Sequence, residues 1–211
     1  MRKWYPTLVV AVALAFTAAV YGRLPERLPV HWGIDGEVDR YGSRVEGALL
    51  MPAIMLLLWA LMKALPKIDP HRENYAKFAD TYQLLVDATL TALMLMHVTM
   101  LGIALGWPLS VARVMPAIVG LLLLAIGNVL PRARPNWWFG IRTPWTLTNE
   151  RVWMRTHRFG GYLLAASGAA FLLAAAAPSR VTLTVAIGVT LAATFGSFIY
   201  SYFTWKQETA K

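Results

Sequence analysis

The sequence predicts an all-α integral membrane protein: a six-transmembrane-helix bundle with both termini cytoplasmic, one ordered extracytoplasmic loop and one structured cytoplasmic loop. Three observations predict it. Of 211 residues, 57% are hydrophobic and only 15% charged, where an ordinary soluble domain has about a quarter charged. Six segments approach the roughly 20 apolar residues that cross a bilayer. The cations divide unevenly between the loops that join those segments.

The spans are expected at residues 4–21, 47–65, 84–106, 114–130, 159–177 and 182–203. The first follows Arg2 and Lys3 and ends in small residues, as a signal peptide does. Tyr21-Gly22-Arg23 is a poor cleavage site, however, and Trp4-Tyr5 suits an interfacial anchor, so a retained helix is expected. With the N-terminus inside, fourteen Lys and Arg are cytoplasmic: Arg2, Lys3, Lys63, Lys67, Arg72, Lys77, Arg132, Arg134, Arg142, Arg151, Arg155, Arg158, Lys206 and Lys211. Six are outside: Arg23, Arg27, Arg40, Arg44, Arg113 and Arg180. The positive-inside rule therefore places both termini in the cytoplasm. Three regions follow: an N-terminal membrane domain over 1–65 with its outer loop at 22–46, a connector and third helix over 66–113, and a C-terminal membrane domain over 114–211.

The net charge of +9 would suggest nucleic acid in a soluble protein. In this chain it meets the anionic headgroups of bacterial membrane lipids, and no direct nucleic-acid partner is expected. The absence of cysteine removes disulfides and thiolate chemistry. No nucleophile–base pair, metal-ligand spacing, phosphate loop or cofactor motif occurs, so neither an enzyme, a metal site nor a cofactor is expected.

In the outer loop Pro25 and Pro29 oppose helix, residues 28–32 can extend, and Asp35-Gly36 signals a turn. Ser43 and Glu46 read as a capping box for the second helix. The acids from Asp35 to Glu46 partly fit a calcium-loop template, but Arg40 stands where that template needs glycine, and calcium is set aside. His31 beside Trp32 suits a turn hydrogen bond or a recognition contact.

Residues 66–80 read as a solvated connector with an interfacial helix near 72–82. The third span carries Asp87 and, deeper, His97. Ionisable groups at membrane depth are expensive and default functional candidates. These two stand ten residues apart, about 15 Å along a helix and not on one face. Packing is the preferred reading, and a small transporter or flippase using them is the alternative.

Residues 136–149 separate the fourth and fifth spans with a polar, aromatic, arginine-bearing stretch. Gly140 permits a tight approach, Pro144 fixes φ, and Thr146 or Thr148 can cap the next helix. In that helix Arg151, Arg155 and Arg158 line one side while Asn149, Trp153 and His157 form a ridge. Trp137, Trp138, Trp145 and Trp153 suit an aromatic belt. Gly161, Ala165 and Ala169 form one small-residue stripe and Gly188, Ala192 and Gly196 another, fitting close helix packing or a homodimer.

Gly140-Ile-Arg-Thr-Pro-Trp-Thr-Leu147, with Asn136 before it and Val152-Trp153, Thr156-His157 and Gly160 after it, resembles the signature of SdpI-type membrane proteins. These are bacterial immunity proteins against a secreted toxic peptide. Leu28-Pro-Val-His31 with Gly36, Asp39 and Tyr41-Gly42-Ser43 is similar to the domain of unknown function found at their front. The resemblance implies a six-helix, multi-pass protein of the bacterial inner membrane. It also implies resistance to a peptide toxin and a signalling role in which a transcriptional repressor is tethered at the membrane. On that reading toxin meets His31, Trp32, Asp39 and Tyr41 or the bundle itself. A partner would meet Asn136, Gly140, Arg142, Thr143, Pro144, Trp145, Thr146, Trp153 and His157.

Overall fold

The computed structural model describes residues 4–210; the expected inner charges Arg2, Lys3 and Lys211 lie outside the described residues. In chain order the structure runs α1 (Tyr5–Val20), β1 (Arg27–Trp32), β2 (Val38–Ser43), α2 (Arg44–Ile68), α3 (Ala79–Ala104), α4 (Val111–Val129), α5 (Pro144–Thr148), α6 (Glu150–Ala176) and α7 (Arg180–Thr209). All but the short α5 are elements of a bundle or its hairpin. Six helices among the described residues are long and apolar enough to cross a bilayer, so the chain is a multi-pass membrane protein.

The bundle packs as two groups. In the first, Val9, Val10 and Ala13 of α1 meet Met55 of α2 and Val86 and Leu90 of α3 in one buried cluster. In the second, α4 lies almost backbone to backbone on α6. A Cβ at Gly127 would sit 2.7 Å from the Gly161 carbonyl oxygen, and one at Gly120 would sit 2.8 Å from that of Gly168. Only glycine permits that approach, where dispersion supplies the attraction. α7 then covers α6, with Phe159 and Tyr200 stacked at 4.3 Å. Contacts between α3 and α4 join the groups.

The small-residue stripes are used unequally. Gly161 and Ala165 do face α4, joined by Gly168 in place of Ala169. The α7 stripe packs within the chain only at Gly196, where a Cβ would lie 3.8 Å from Leu163 of α6; a Cβ at Gly188 meets only open space, and Ala192 is exposed. α7 instead buries Ala186, Ala193, Ser197, Ser201 and Thr204. Its serines turn their hydroxyls back onto helix carbonyls, Ser197 to Ala193 and Ser201 to Phe198, which removes the penalty of burying them.

The 22–46 loop is a β-hairpin. β1 and β2 pair antiparallel, with Arg27 opposite Ser43 and Trp32 opposite Val38. The turn takes Gly36 to φ +84°, the left-handed region the Asp-Gly pair foreshadows. Leu24 and Leu28 are buried with Ala48 of α2 and Leu101 of α3, which seats the hairpin on the bundle. Ser43 caps α2 by accepting the Glu46 amide at 3.1 Å. The reciprocal half of the expected capping box is missing, because the Glu46 carboxylate takes Arg40 at 2.7 Å instead.

Two other expectations change. The short helix expected near 72–82 is a 3-10 helix over Arg72–Phe78, and it leads directly into α3 rather than standing apart from it. The arginine-bearing helix and the fifth span are one helix, α6, whose 27 residues begin at Glu150. Its cap is neither Thr146 nor Thr148. Asn149 accepts the Arg151 and Val152 amides, while Thr143 caps α5 in a capping box with Thr146.

Candidate functional site

The signature stretch folds at the end of the bundle opposite the hairpin, here termed the arginine end. Its centre is Asn136, which is fully buried. The Asn136 Oδ1 accepts the Trp138 and Phe139 amides at 2.9 and 2.6 Å, and its Nδ2 donates to the Arg134 and Phe139 carbonyls at 2.8 and 3.0 Å. One side chain thus closes a turn that has no regular secondary structure, satisfying backbone groups that burial would otherwise leave unpaired.

The turn rests on α6. Trp153 is fully buried and donates its indole N–H to the Ala133 carbonyl at 2.9 Å. His157, also fully buried, stacks on Trp153 with ring centroids 3.9 Å apart. Its Nδ1 donates to the Trp153 carbonyl at 2.8 Å, and its Nε2 accepts the Ile141 amide at 3.0 Å. Gly140, at φ +113°, passes so close over this ring that a Cβ would collide with Nε2. The expected ridge is therefore real at Trp153 and His157 but faces inward, and Trp153 is core rather than interfacial belt.

The remaining signature residues continue the knot. Thr146 is fully buried and donates its hydroxyl to the Ile141 carbonyl at 2.8 Å. Thr143, also buried, pairs its hydroxyl with that of Ser201 on α7 at 3.1 Å. Trp145 packs edge-on against Tyr202, with centroids 5.2 Å apart. Pro144 is exposed at the start of α5. The outer skin is Trp137, Trp138 and Arg142, all exposed. Arg142 donates to the Trp137 carbonyl at 2.5 Å. On the flank, Arg151 and Arg155 reach Glu208 of α7 at 3.4 and 3.1 Å.

Residues 66–80 are not merely a solvated connector. Asp69 is buried. Its Oδ1 accepts the His71 amide at 2.7 Å, while Oδ2 accepts the Tyr75 hydroxyl at 2.8 Å and the Trp137 amide at 2.9 Å. Asn74 donates to the Pro135 carbonyl at 2.9 Å. These bonds clasp the first helix group to the signature turn. The sequence does carry a signal for Asp69, because Asp before Pro is a frequent side-chain-capped turn. Nothing local marks it as the acceptor for an amide 68 positions away.

At the hairpin end, His31 Nδ1 lies 2.6 Å from Asp39 Oδ1, both exposed. Tyr41 is exposed and Trp32 half-buried. Asp35 accepts the Glu37 amide at 3.1 Å, so Asp35, Asp39 and Glu46 turn to separate partners. Within the bundle, Asp87 Oδ1 accepts Gln83 Nε2 at 2.7 Å. His97 is fully buried with its Nε2 2.7 Å from the Thr17 hydroxyl. Asp87 and His97 take different partners and do not meet.

A helical membrane bundle with a folded hairpin at one end and a packed, arginine-edged turn at the other defines a polytopic protein with a built surface at each pole. The family comparisons fall on those same two poles. Residues 132–201 match the model of the SdpI/YfhL protein family, and residues 8–56 match that of a domain of unknown function, DUF1648. Along these two segments, about a third and a quarter of its length, the chain is similar to SdpI-type proteins, and its six apolar helices fit a multi-pass membrane protein. It is 26% identical over 162 residues to the Immunity protein SdpI of Bacillus subtilis (strain 168), covering 76% of this chain and 75% of that one. An uncharacterized protein of Archaeoglobus fulgidus is 34% identical over 61 residues, or 29% of this chain and 33% of its own length. No solved structure matches the chain.

Proposed function

We propose that this is a membrane immunity protein that protects its cell from a secreted antimicrobial peptide toxin, and that its arginine end signals by holding a transcriptional repressor at the membrane. One observation carries the reading: the likeness to the Bacillus subtilis immunity protein runs through three quarters of both chains. The distribution of Lys and Arg supports the orientation, with the hairpin outside and the arginine end in the cytoplasm.

In this arrangement toxin meets the hairpin at His31, Trp32, Asp39 and Tyr41. The repressor docks on Arg142 and the neighbouring tryptophans. Asn136, Gly140, Thr143, Pro144, Trp145, Thr146, Trp153 and His157 hold that surface in shape. Coupling the two ends requires toxin to bind two arrangements of the bundle with different affinity. The arginines favour an acidic partner face.

Expression in a toxin-sensitive strain is the test. Survival of cells carrying the protein at toxin doses that kill the parent strain is expected, and unchanged killing at normal membrane levels would remove the proposal.

A further inference from the structure

At the hairpin end the two helix groups part and leave a cavity of about 430 Å³. We propose that this cavity seats an apolar peptide segment that carries a cationic end; the identity of its natural occupant as toxin rests on the immunity reading above. Neither half of the chain forms it alone. Met51 of α2 and Met96 and Met100 of α3 line one side, Met115 of α4 and Phe171 of α6 the other, and Trp32 of the hairpin stands at the rim.

Four of the nine methionines in the chain are gathered here. Methionine is unbranched and polarizable, so a methionine wall reshapes around varied apolar surfaces at low cost. The volume lies within the roughly 300–1,000 Å³ of small-ligand pockets. It suits a few side chains, not a whole folded peptide.

Charge selects the occupant. Residues 33–39 carry three carboxylates, Asp35, Glu37 and Asp39, and no Lys or Arg. Asp35 and Gly36 border the cavity directly. Among the described residues no Lys or Arg lines the cavity; nearby, Arg40 is paired with Glu46 at 2.7 Å, while Arg113 keeps its charge and bonds the Ala176 carbonyl at 3.3 Å. Arg113 and Arg180, at the starts of α4 and α7, stand outside the lining, whose own carboxylate is Asp35. An amphiphile with a positive end is attracted there, and a phosphate or carboxylate is repelled.

The test uses the full chain in phosphatidylcholine nanodiscs with ¹³C-labelled methionine methyls. The probes are an apolar peptide with a two-lysine tail, the same peptide with a two-glutamate tail, and short-chain phosphatidylcholine. The lysine peptide is expected to shift the methyls of Met51, Met96, Met100 and Met115 while the other methionines stay still. It should do so at about five-fold or more lower concentration than the glutamate peptide. Ala112→Trp, which fills the mouth beside Gly36, should abolish the shifts; Leu121→Trp, on another face of α4, should leave them. Asp35→Asn should bring the two peptides closer together.

No shift at these four methyls, equal response to both peptides, or response to the short-chain lipid alone would overturn the proposal. The comparison of the two peptides needs no variant, so it decides even where Ala112→Trp fails to fold. Survival assays separate the two readings. Protection by the native chain that persists in well-folded Ala112→Trp removes the cavity as the toxin's seat. Absence of protection by the native chain removes the immunity reading and leaves the measured peptide binding in place.

Discussion

His157 holds the Ile141 amide at 3.0 Å through Nε2 while its Nδ1 is committed to the Trp153 carbonyl. One imidazole therefore ties a loop to a helix with both nitrogens, and its tautomer is fixed by the carbonyl it must donate to. His157→Phe keeps the stacking on Trp153 but leaves the Ile141 amide without its acceptor. A loss of roughly 1–3 kcal/mol in stability is expected, read as a lower unfolding temperature in detergent. An unchanged temperature would mean that the loop does not depend on this bond.

The ring also explains Gly140. Gly140 and Gly106 both have positive φ, +113° and +84°, but a Cβ at Gly106 meets nothing while one at Gly140 strikes His157. Backbone strain of about 1–3 kcal/mol is common to both alanine variants. Gly140→Ala should therefore lower the unfolding temperature clearly more than Gly106→Ala, and equal losses would show that the His157 contact contributes little.

Asp69 is the hinge pin between the helix groups at the arginine end. Asp69→Ala strands the Trp137 amide, at about 1–3 kcal/mol for a buried group left unpaired, and leaves the Tyr75 hydroxyl only its 3.4 Å bond to Asn136 Oδ1. Faster protease cleavage within residues 133–149 is expected. Asp69→Asn keeps a carbonyl oxygen to accept one of these donors and should fall between Asp69→Ala and the native chain.

The chain has no cysteine, so single cysteines can report orientation without background. Tyr41→Cys and Trp138→Cys both occupy exposed positions at opposite ends. With a membrane-impermeant maleimide, Tyr41→Cys should label in intact cells and Trp138→Cys only after permeabilisation. Labelling of both from the same side would end any proposal of signalling across the membrane.

Arg142 is exposed and bonds the edge of the turn through the Trp137 carbonyl. Arg142→Ala is expected to weaken recruitment of a repressor partner to membranes while leaving insertion and stability near native. Equal recruitment by the variant would move the docking surface elsewhere.

The apolar spans, the turn at Asp35-Gly36 and the positions of the helices were legible because bilayer length and turn chemistry are local properties. Helix starts were harder to read: Thr146, Thr148 and Asn149 are all competent caps, and tertiary contacts decide among them. Trp153 and His157 were recognisable as a pair at helical spacing, but period alone does not tell a solvent-facing ridge from one that lies under a loop. Asp69 was misread for the opposite reason. Its neighbours are charged and polar, and the group that makes burial tolerable, the Trp137 amide, is distant in sequence.

α6 runs unbroken from Trp153 under the arginine end to Phe171 at the methionine cavity, a distance of about 27 Å at helical rise. Between those points Gly161 and Gly168 press against the backbone of α4. Two backbone contacts seven residues apart, about 10 Å at helical rise, clamp α6 to α4 at two points and resist its tilting, so the phenyl ring and the indole are carried on one rigid strut.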